Sequence, residues 1–122
     1  MPHVHGRPEL ISRLFQNLLG NAIKFRHPDR RCQVSIRAKS LKNDMVQVSI
    51  RDNGIGIHDN MRETAFNLFY KYHPDPNYKG VGAGLALARR IVNVHGGTIG
   101  FAETPEGQGA TVVFTLQAAR EQ

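Results

Sequence analysis

Met45-Val46-Gln47-Val48-Ser49-Ile50-Arg51-Asp52-Asn53-Gly54-Ile55-Gly56 reads as a strand that runs straight into a glycine turn. Val46, Val48 and Ile50 alternate with polar residues, the period-2 pattern of a half-buried strand. Asp52 keeps their phase, so its carboxylate is directed toward the core side. An unpaired carboxylate there is costly, so Asp52 must be compensated or face a ligand. Upstream, Val34, Ile36 and Ala38 alternate in the same way. Lys42-Asn43-Asp44 between the two runs is turn chemistry, and the pair predicts an antiparallel hairpin.

Helical spacing takes over on either side. Leu10, Ile11, Leu14, Phe15, Leu18, Leu19, Ala22 and Ile23 form a wide apolar stripe over residues 9–24. Pro8 is tolerated in the first turn, and Pro28 helps end the helix. Asn17, Asn21 and Lys24 fall at i, i+4 and i+7 on a different, shared face. Residues 61–69 predict a short helix carrying Phe66 and Phe69, and residues 70–79 a loop with Pro74 and Pro76. Leu85, Leu87, Ala88, Ile91 and Val92 predict a helix over residues 84–95, stopped by Gly96-Gly97. Residues 98–103 and 110–116 read as two further strands. Residues 1–6 read as a strand end or linker, and 117–122 as a frayed tail.

The chain has 122 residues, which fits one domain with one core. Its apolar content is 40%, and no segment reaches the roughly 18 apolar residues of a membrane span. The single cysteine, Cys32, cannot form an internal disulfide, which agrees with a reducing cytoplasm. Net charge is +6. The basic residues are dispersed, with Arg26, Arg30 and Arg31 the densest group, so most read as ordinary surface and no nucleic-acid partner is expected.

Three clusters carry chemistry. An asparagine oxygen is a good hard ligand for Mg²⁺, and Asn21 could supply one, with Lys24 meeting phosphate as a point charge one turn on. Two asparagines in an otherwise apolar helix carry a propensity cost, which favours a purpose over simple solvation. Asp52 could accept a hydrogen bond from an exocyclic amine such as adenine's, with Gly54 and Gly56 letting the backbone approach a flat base. Asp-Asn-Gly is equally a common turn. Gly80, Gly82 and Gly84 precede a helix, where free backbone N–H groups and the helix dipole suit phosphate. Alone, they also fit a hinge. Together the three describe a pocket for a nucleotide and its divalent metal.

Their order and spacing resemble the catalytic, ATP-binding domain of sensor histidine kinases. Residues 14–25, Leu-Phe-Gln-Asn-Leu-Leu-Gly-Asn-Ala-Ile-Lys-Phe, are similar to that family's asparagine box. Residues 52–57 are similar to its first glycine box, 66–69 to its phenylalanine box and 80–85 to its second glycine box. Gly107-Gln108-Gly109-Ala110-Thr111 matches the last box. The resemblance covers nearly all of residues 6–116 and implies ATP and Mg²⁺ as cofactors. It implies that Asn21 ligates the metal with Asn17 adjacent, and that Lys24 and Phe25 contact the nucleotide. Asp52 would bind the adenine amine, with Gly54, Gly56 and Ile57 at the base. Phe69, Gly80, Gly82, Gly84 and Leu85 would line the phosphate and base side, and Thr111 would complete the adenine site. The loop over 70–79 would be a short ATP lid, with Lys71 near the terminal phosphate, as in the phytochrome-like branch. Asn17, Lys24 and Lys71 are the residues expected to assist transfer. Arg7 stands where relatives often have an acidic residue, and Ala83 where a larger aliphatic is common.

The implied fold is the Bergerat α/β (α+β) two-layer sandwich, a mixed, mainly antiparallel sheet with helices on one face. The implied function is donation of the γ-phosphoryl group of Mg-ATP to a histidine on a separate helical dimerisation domain. A response regulator would act downstream, as in two-component signalling. His3, His5, His27, His58, His73 and His95 lack the helical context of a phosphoacceptor. The chain is therefore expected to be an excised, cytoplasmic domain, monomeric alone, without membrane contact and unable to autophosphorylate by itself. Two alternatives share the fold: a free-standing serine kinase of the anti-sigma-factor type, and a module that binds partners in a nucleotide-dependent way.

Overall fold

The computed structural model describes residues 3–56, 82–104 and 109–119. The hairpin forms as its alternation predicts. Strands β1 (Val34–Ser40) and β2 (Met45–Asp52) pair antiparallel, with Ile36 opposite Ile50 and Val34 opposite Asp52. Asn43 and Asp44 both take positive φ, 67° and 59°, a conformation that asparagine and aspartate tolerate. Strands β3 (Ile99–Ala102) and β4 (Thr111–Gln117) complete a four-stranded sheet of order β1-β2-β4-β3, antiparallel at every described pairing.

Helices α1 (Pro8–Lys24) and α2 (Gly82–Val94) cover one face of this sheet. Leu14 and Leu18 of α1 meet Leu85, Ala88, Ile91 and Val92 of α2 above Val46, Val48, Ile50, Phe114 and Leu116 of the two central strands. Phe15 stands edge-on to Phe114, with ring centroids 5.6 Å apart, a favoured aromatic geometry. The apolar stripes read from the sequence are therefore the two halves of one core. Ile36 departs from that reading. It is 44% exposed, because β1 is the sheet edge and the helices do not reach over it.

The first and last described segments are held more firmly than their composition suggests. Val4 bridges Ala118, the His5 N–H donates to the Gln117 carbonyl and the Ala119 N–H to the His3 carbonyl. Gln117 closes β4, so the predicted frayed tail is wrong for residues 117–119: backbone pairing with the leading segment supplies the order that side chains do not. The predicted helix over 61–69 and loop over 70–79 lie outside the described residues.

Gly20 gives a clean test of helix propensity. It lies on the exposed side of α1, and an added Cβ would meet nothing within 4 Å. Gly20→Ala is expected to stabilise the domain by about 0.5–1 kcal/mol, since alanine loses less backbone entropy in a helix. A higher urea midpoint at unchanged slope would confirm it.

Candidate nucleotide-binding site

The site is built where α1 ends, α2 begins and β2 runs out. Helices α1 and α2 lie antiparallel. Near one end, an added Cβ on Gly84 would sit 3.8 Å from Asn21 Oδ1. At the other end, Arg7 at the start of α1 bonds His95 just beyond α2. This puts the carbonyl end of α1, which favours cations, beside the N–H end of α2, which favours anions. The first turn of α2 carries no acidic residue to oppose an anion.

Asn21 lies at this junction, and Asn17 one turn before it on the same face of α1. Their Nδ2 atoms are buried without a hydrogen-bond partner. An unsatisfied buried amide costs about 1–3 kcal/mol, so each calls for an occupant that is a ligand or ordered water. A half-turn of either amide presents its oxygen instead of its nitrogen. The donor set thus fits a hard cation that also draws on phosphate oxygens. Among the described residues no group of three or more His, Cys, Asp or Glu side chains could hold a metal by itself. Lys24, one turn beyond Asn21, is exposed at the rim.

The base side is a knot of three backbone segments. Asp52 Oδ1 accepts the Gly54 N–H at 2.9 Å and the Ala110 N–H at 3.1 Å, while the Asp52 N–H donates to the Ala110 carbonyl at 2.9 Å. Ala110 thus extends the β2–β4 ladder by one rung, with a carboxylate replacing a backbone acceptor. Burial pushes the Asp52 carboxyl above its usual range, and the two N–H donors partly offset that. Phe25, the C-terminal cap of α1, accepts the Ile55 N–H through its carbonyl at 3.0 Å. An added Cβ on Gly54 would lie 2.4 Å from that same oxygen, so the glycine is required for the helix end and the turn to touch. Gly56 and Gly109 both have φ of +79°, and a Cβ on Gly56 would come within 3.0 Å of the Gly109 carbonyl.

Asn53 braces the turn from behind. Its Nδ2 donates to the Arg31 carbonyl and its Oδ1 accepts the Gln33 N–H, both at 2.9 Å. Arg30 adds a longer contact to the Gly54 carbonyl at 3.4 Å. The Asp52–Gly54 bond is an Asx-turn that the Asp-x-Gly spacing could have revealed. The Ala110 contact comes from 58 residues away and had no local signal.

The structure therefore brings Asn17, Asn21, Phe25, Asp52, Gly54, Gly56, Gly82 and Gly84 to one end of the helix layer. Leu85 lies in the core beneath it, 6% exposed. Thr111 is not brought to this turn. It pairs with Arg51, and its hydroxyl lies 3.0 Å from that of Thr104. With Ser35, Arg37, Ser49, Arg51 and Glu103 it lines a shallow cleft on the sheet face away from the helices. Alternation decides this: Val112 and Phe114 point to the core, so Ala110 shares their face and Thr111 does not. Ile57, Phe69, Lys71 and Gly80 lie outside the described residues.

Known proteins share the sequence pattern and the fold. The chain is 39% identical over 116 residues to cyanobacterial phytochrome A of a Nostoc species, across 95% of this chain but only 15% of that protein. Its fold superposes on the mycobacterial sensor histidine kinase MprB with a TM-score of 0.82 and 25% identity, covering 97% of this chain and 78% of that one. It also superposes on full-length ShkA in complex with AMPPNP, with a TM-score of 0.81 and 27% identity, covering 99% of this chain and 24% of that one. Residues 6–120 match the family of histidine kinase-, DNA gyrase B- and HSP90-like ATPases, and the chain belongs to that family.

Proposed function

We propose that this domain binds Mg-ATP and presents its γ-phosphoryl group to a histidine on a separate helical domain, as the catalytic part of a sensor histidine kinase. The observation that carries the reading is the junction of α1 and α2. Two buried asparagine amides without partners lie one turn apart on α1, the second beside Gly84 at the start of α2, at the same end as a desolvated carboxylate suited to an exocyclic amine. The AMPPNP bound to ShkA is consistent with adenine nucleotide as the ligand.

Each residue then has a defined task. Asn21, with Asn17 adjacent, would hold Mg²⁺ against the phosphates, where the ion neutralises charge on the transferring group. The N–H groups of Gly82, Ala83 and Gly84 would receive phosphate oxygens, and Lys24 would add positive charge at the rim. Asp52 would take the base amine, and Gly54 and Gly56 would underlie the ring. Thr111 faces the other side of the sheet, so its proposed adenine contact is withdrawn, and Ala110 acts there only by holding the Asp52 carboxylate. Lys71, Phe69, Ile57 and Gly80 keep their proposed places at the lid and the pocket wall.

Asn17 occupies the place, one helical turn before the metal asparagine, where the related ATPases hold a glutamate base. An amide does not accept a proton at neutral pH. Transfer would therefore rest on positioning and charge neutralisation, with any base supplied by the acceptor domain.

Calorimetric titration with a non-hydrolysable ATP analogue, with and without Mg²⁺, tests the reading. Binding is expected to strengthen with Mg²⁺ in the wild type, and Asn21→Ala is expected to lose that gain while keeping metal-free binding. A folded wild type that binds no adenine nucleotide overturns the proposal. Phosphorylation with labelled ATP is expected only when a histidine-bearing helical domain is added, with a response regulator as the subsequent acceptor.

A further inference from the structure

The α1–α2 pair that frames the site is clamped at its opposite end by one side chain. His95 follows the last residue of α2, and its half-buried ring spans two elements. Its Nδ1 lies 2.7 Å from the Ile91 carbonyl, and its Nε2 accepts the Arg7 N–H at 3.2 Å. One neutral tautomer satisfies both contacts, with the proton on Nδ1 and the lone pair on Nε2. Arg7 is the N-cap of α1 and contributes no side-chain cap of its own. The imidazole thus takes up a donor at the helix start from outside the helix.

The same ring is the wall against which the leading segment packs. An added Cβ on Gly6 would lie 2.5 Å from His95 Cδ2 and 2.7 Å from its Nε2. The ring cannot turn aside without breaking both hydrogen bonds. The Ile11 Cδ1, at 2.6 Å, is the end of a flexible side chain and can move. Residues 3–6 are in turn tied to the end of β4 through the Val4–Ala118 bridge. A displacement of the leading segment is therefore delivered to His95, and from there to α2. Beyond His95, the chain turns at Gly96, whose φ is +79°, and the Gly97 N–H returns to the Val92 carbonyl, which fixes the end of α2 in place.

We infer that His95 is a positioning residue that couples the segment leading into α1 to the spacing between Asn21 and Gly84 at the nucleotide end of the same helix pair. The two helices pack along their length through Leu14, Leu18, Leu85, Ala88, Ile91 and Val92. A shift at the Arg7–His95 end is carried along α2, about 1.5 Å per residue, to its glycine-lined start. This inference rests on the proposed nucleotide role only for its affinity readout.

The experiment is a double-mutant cycle on Gly6→Ala and His95→Ala, with His95→Gln as the conservative variant. Affinity for the Mg²⁺ complex of the ATP analogue and amide exchange at residues 84–86 of the ligand-free domain are both measured. In the presence of His95, Gly6→Ala is expected to weaken binding about fivefold and to speed exchange at residues 84–86. In the His95→Ala background the same wedge is expected to change either quantity less than about twofold, because the wall is gone. His95→Gln, which keeps an acceptor for the Arg7 N–H, is expected to bind nucleotide more tightly than His95→Ala. Equal effects of Gly6→Ala in both backgrounds, or exchange that changes only at residues 3–11, overturn the inference. If the wild type binds no nucleotide, the proposed function fails, and the exchange arm still decides the coupling.

Discussion

Asp52→Asn is expected to lower affinity for adenine nucleotides by about 10- to 100-fold, the equivalent of one hydrogen bond to a charged group. The ligand-free domain is expected to lose no stability at neutral pH. Asparagine keeps an Oδ1 acceptor for the Gly54 and Ala110 N–H groups that hold the turn. What it removes is the charge that burial disfavours.

The pH dependence has a definite sign. The folded carboxyl titrates above its unfolded value of 3.8, so the folded state binds the proton more tightly. The stability this contributes is fully present below the unfolded value and is lost as pH rises through the raised folded value. The wild type should therefore lose stability over that interval relative to Asp52→Asn, and the difference should stay constant at higher pH. Thermal melts of both proteins from pH 3.5 to 7.5 measure it. A variant that is markedly less stable at pH 7 would show that Asp52 is a structural anchor and not a carboxylate kept for a ligand.

Gly109→Ala carries the larger stability effect. An added Cβ would fall 1.9 Å from the Asp52 carbonyl oxygen and 2.9 Å from the Asn53 Cα, both backbone atoms that cannot swing away. The φ of +79° adds the left-handed penalty for any residue with a side chain. Destabilisation of about 3 kcal/mol is expected, near 10 °C in melting temperature for a domain of this size. Nucleotide affinity should fall with it, because the clash displaces the turn that carries Asp52. The contrast with Gly20→Ala is informative, since the same added methyl group changes sign with its surroundings. A Gly109→Ala domain with wild-type stability would mean that the β2–β4 junction is looser than its hydrogen bonds indicate.

Much of the fold was legible locally. The stripe from Leu10 to Ile23 and the alternation of Val46, Val48 and Ile50 specified which faces meet, because burying them is the dominant gain on folding. The glycine pairs could be recognised as close-approach positions from their order with Asn17, Asn21 and Asp52. Ile36 was misjudged because a local pattern does not say which strand is the sheet edge. Thr111 was misplaced for a different reason, because box order was read ahead of strand alternation. Its face follows from the alternation of Val112, Phe114 and Leu116, and only its pairing with Arg51 needed the register between β2 and β4.

The sequence by itself determined the described strands, the antiparallel hairpin and the two amphipathic helices, since these follow from periodicity and side-chain chemistry within a few turns of chain. Tertiary structure alone decided that Ala110 and not Thr111 stands beside Asp52, that the Phe25 carbonyl meets the glycine turn, and that His95 clamps the far end of the helix pair. Those contacts join residues 30 to 88 positions apart. Their geometry is set by strand register and helix packing, which no local stretch of the chain encodes.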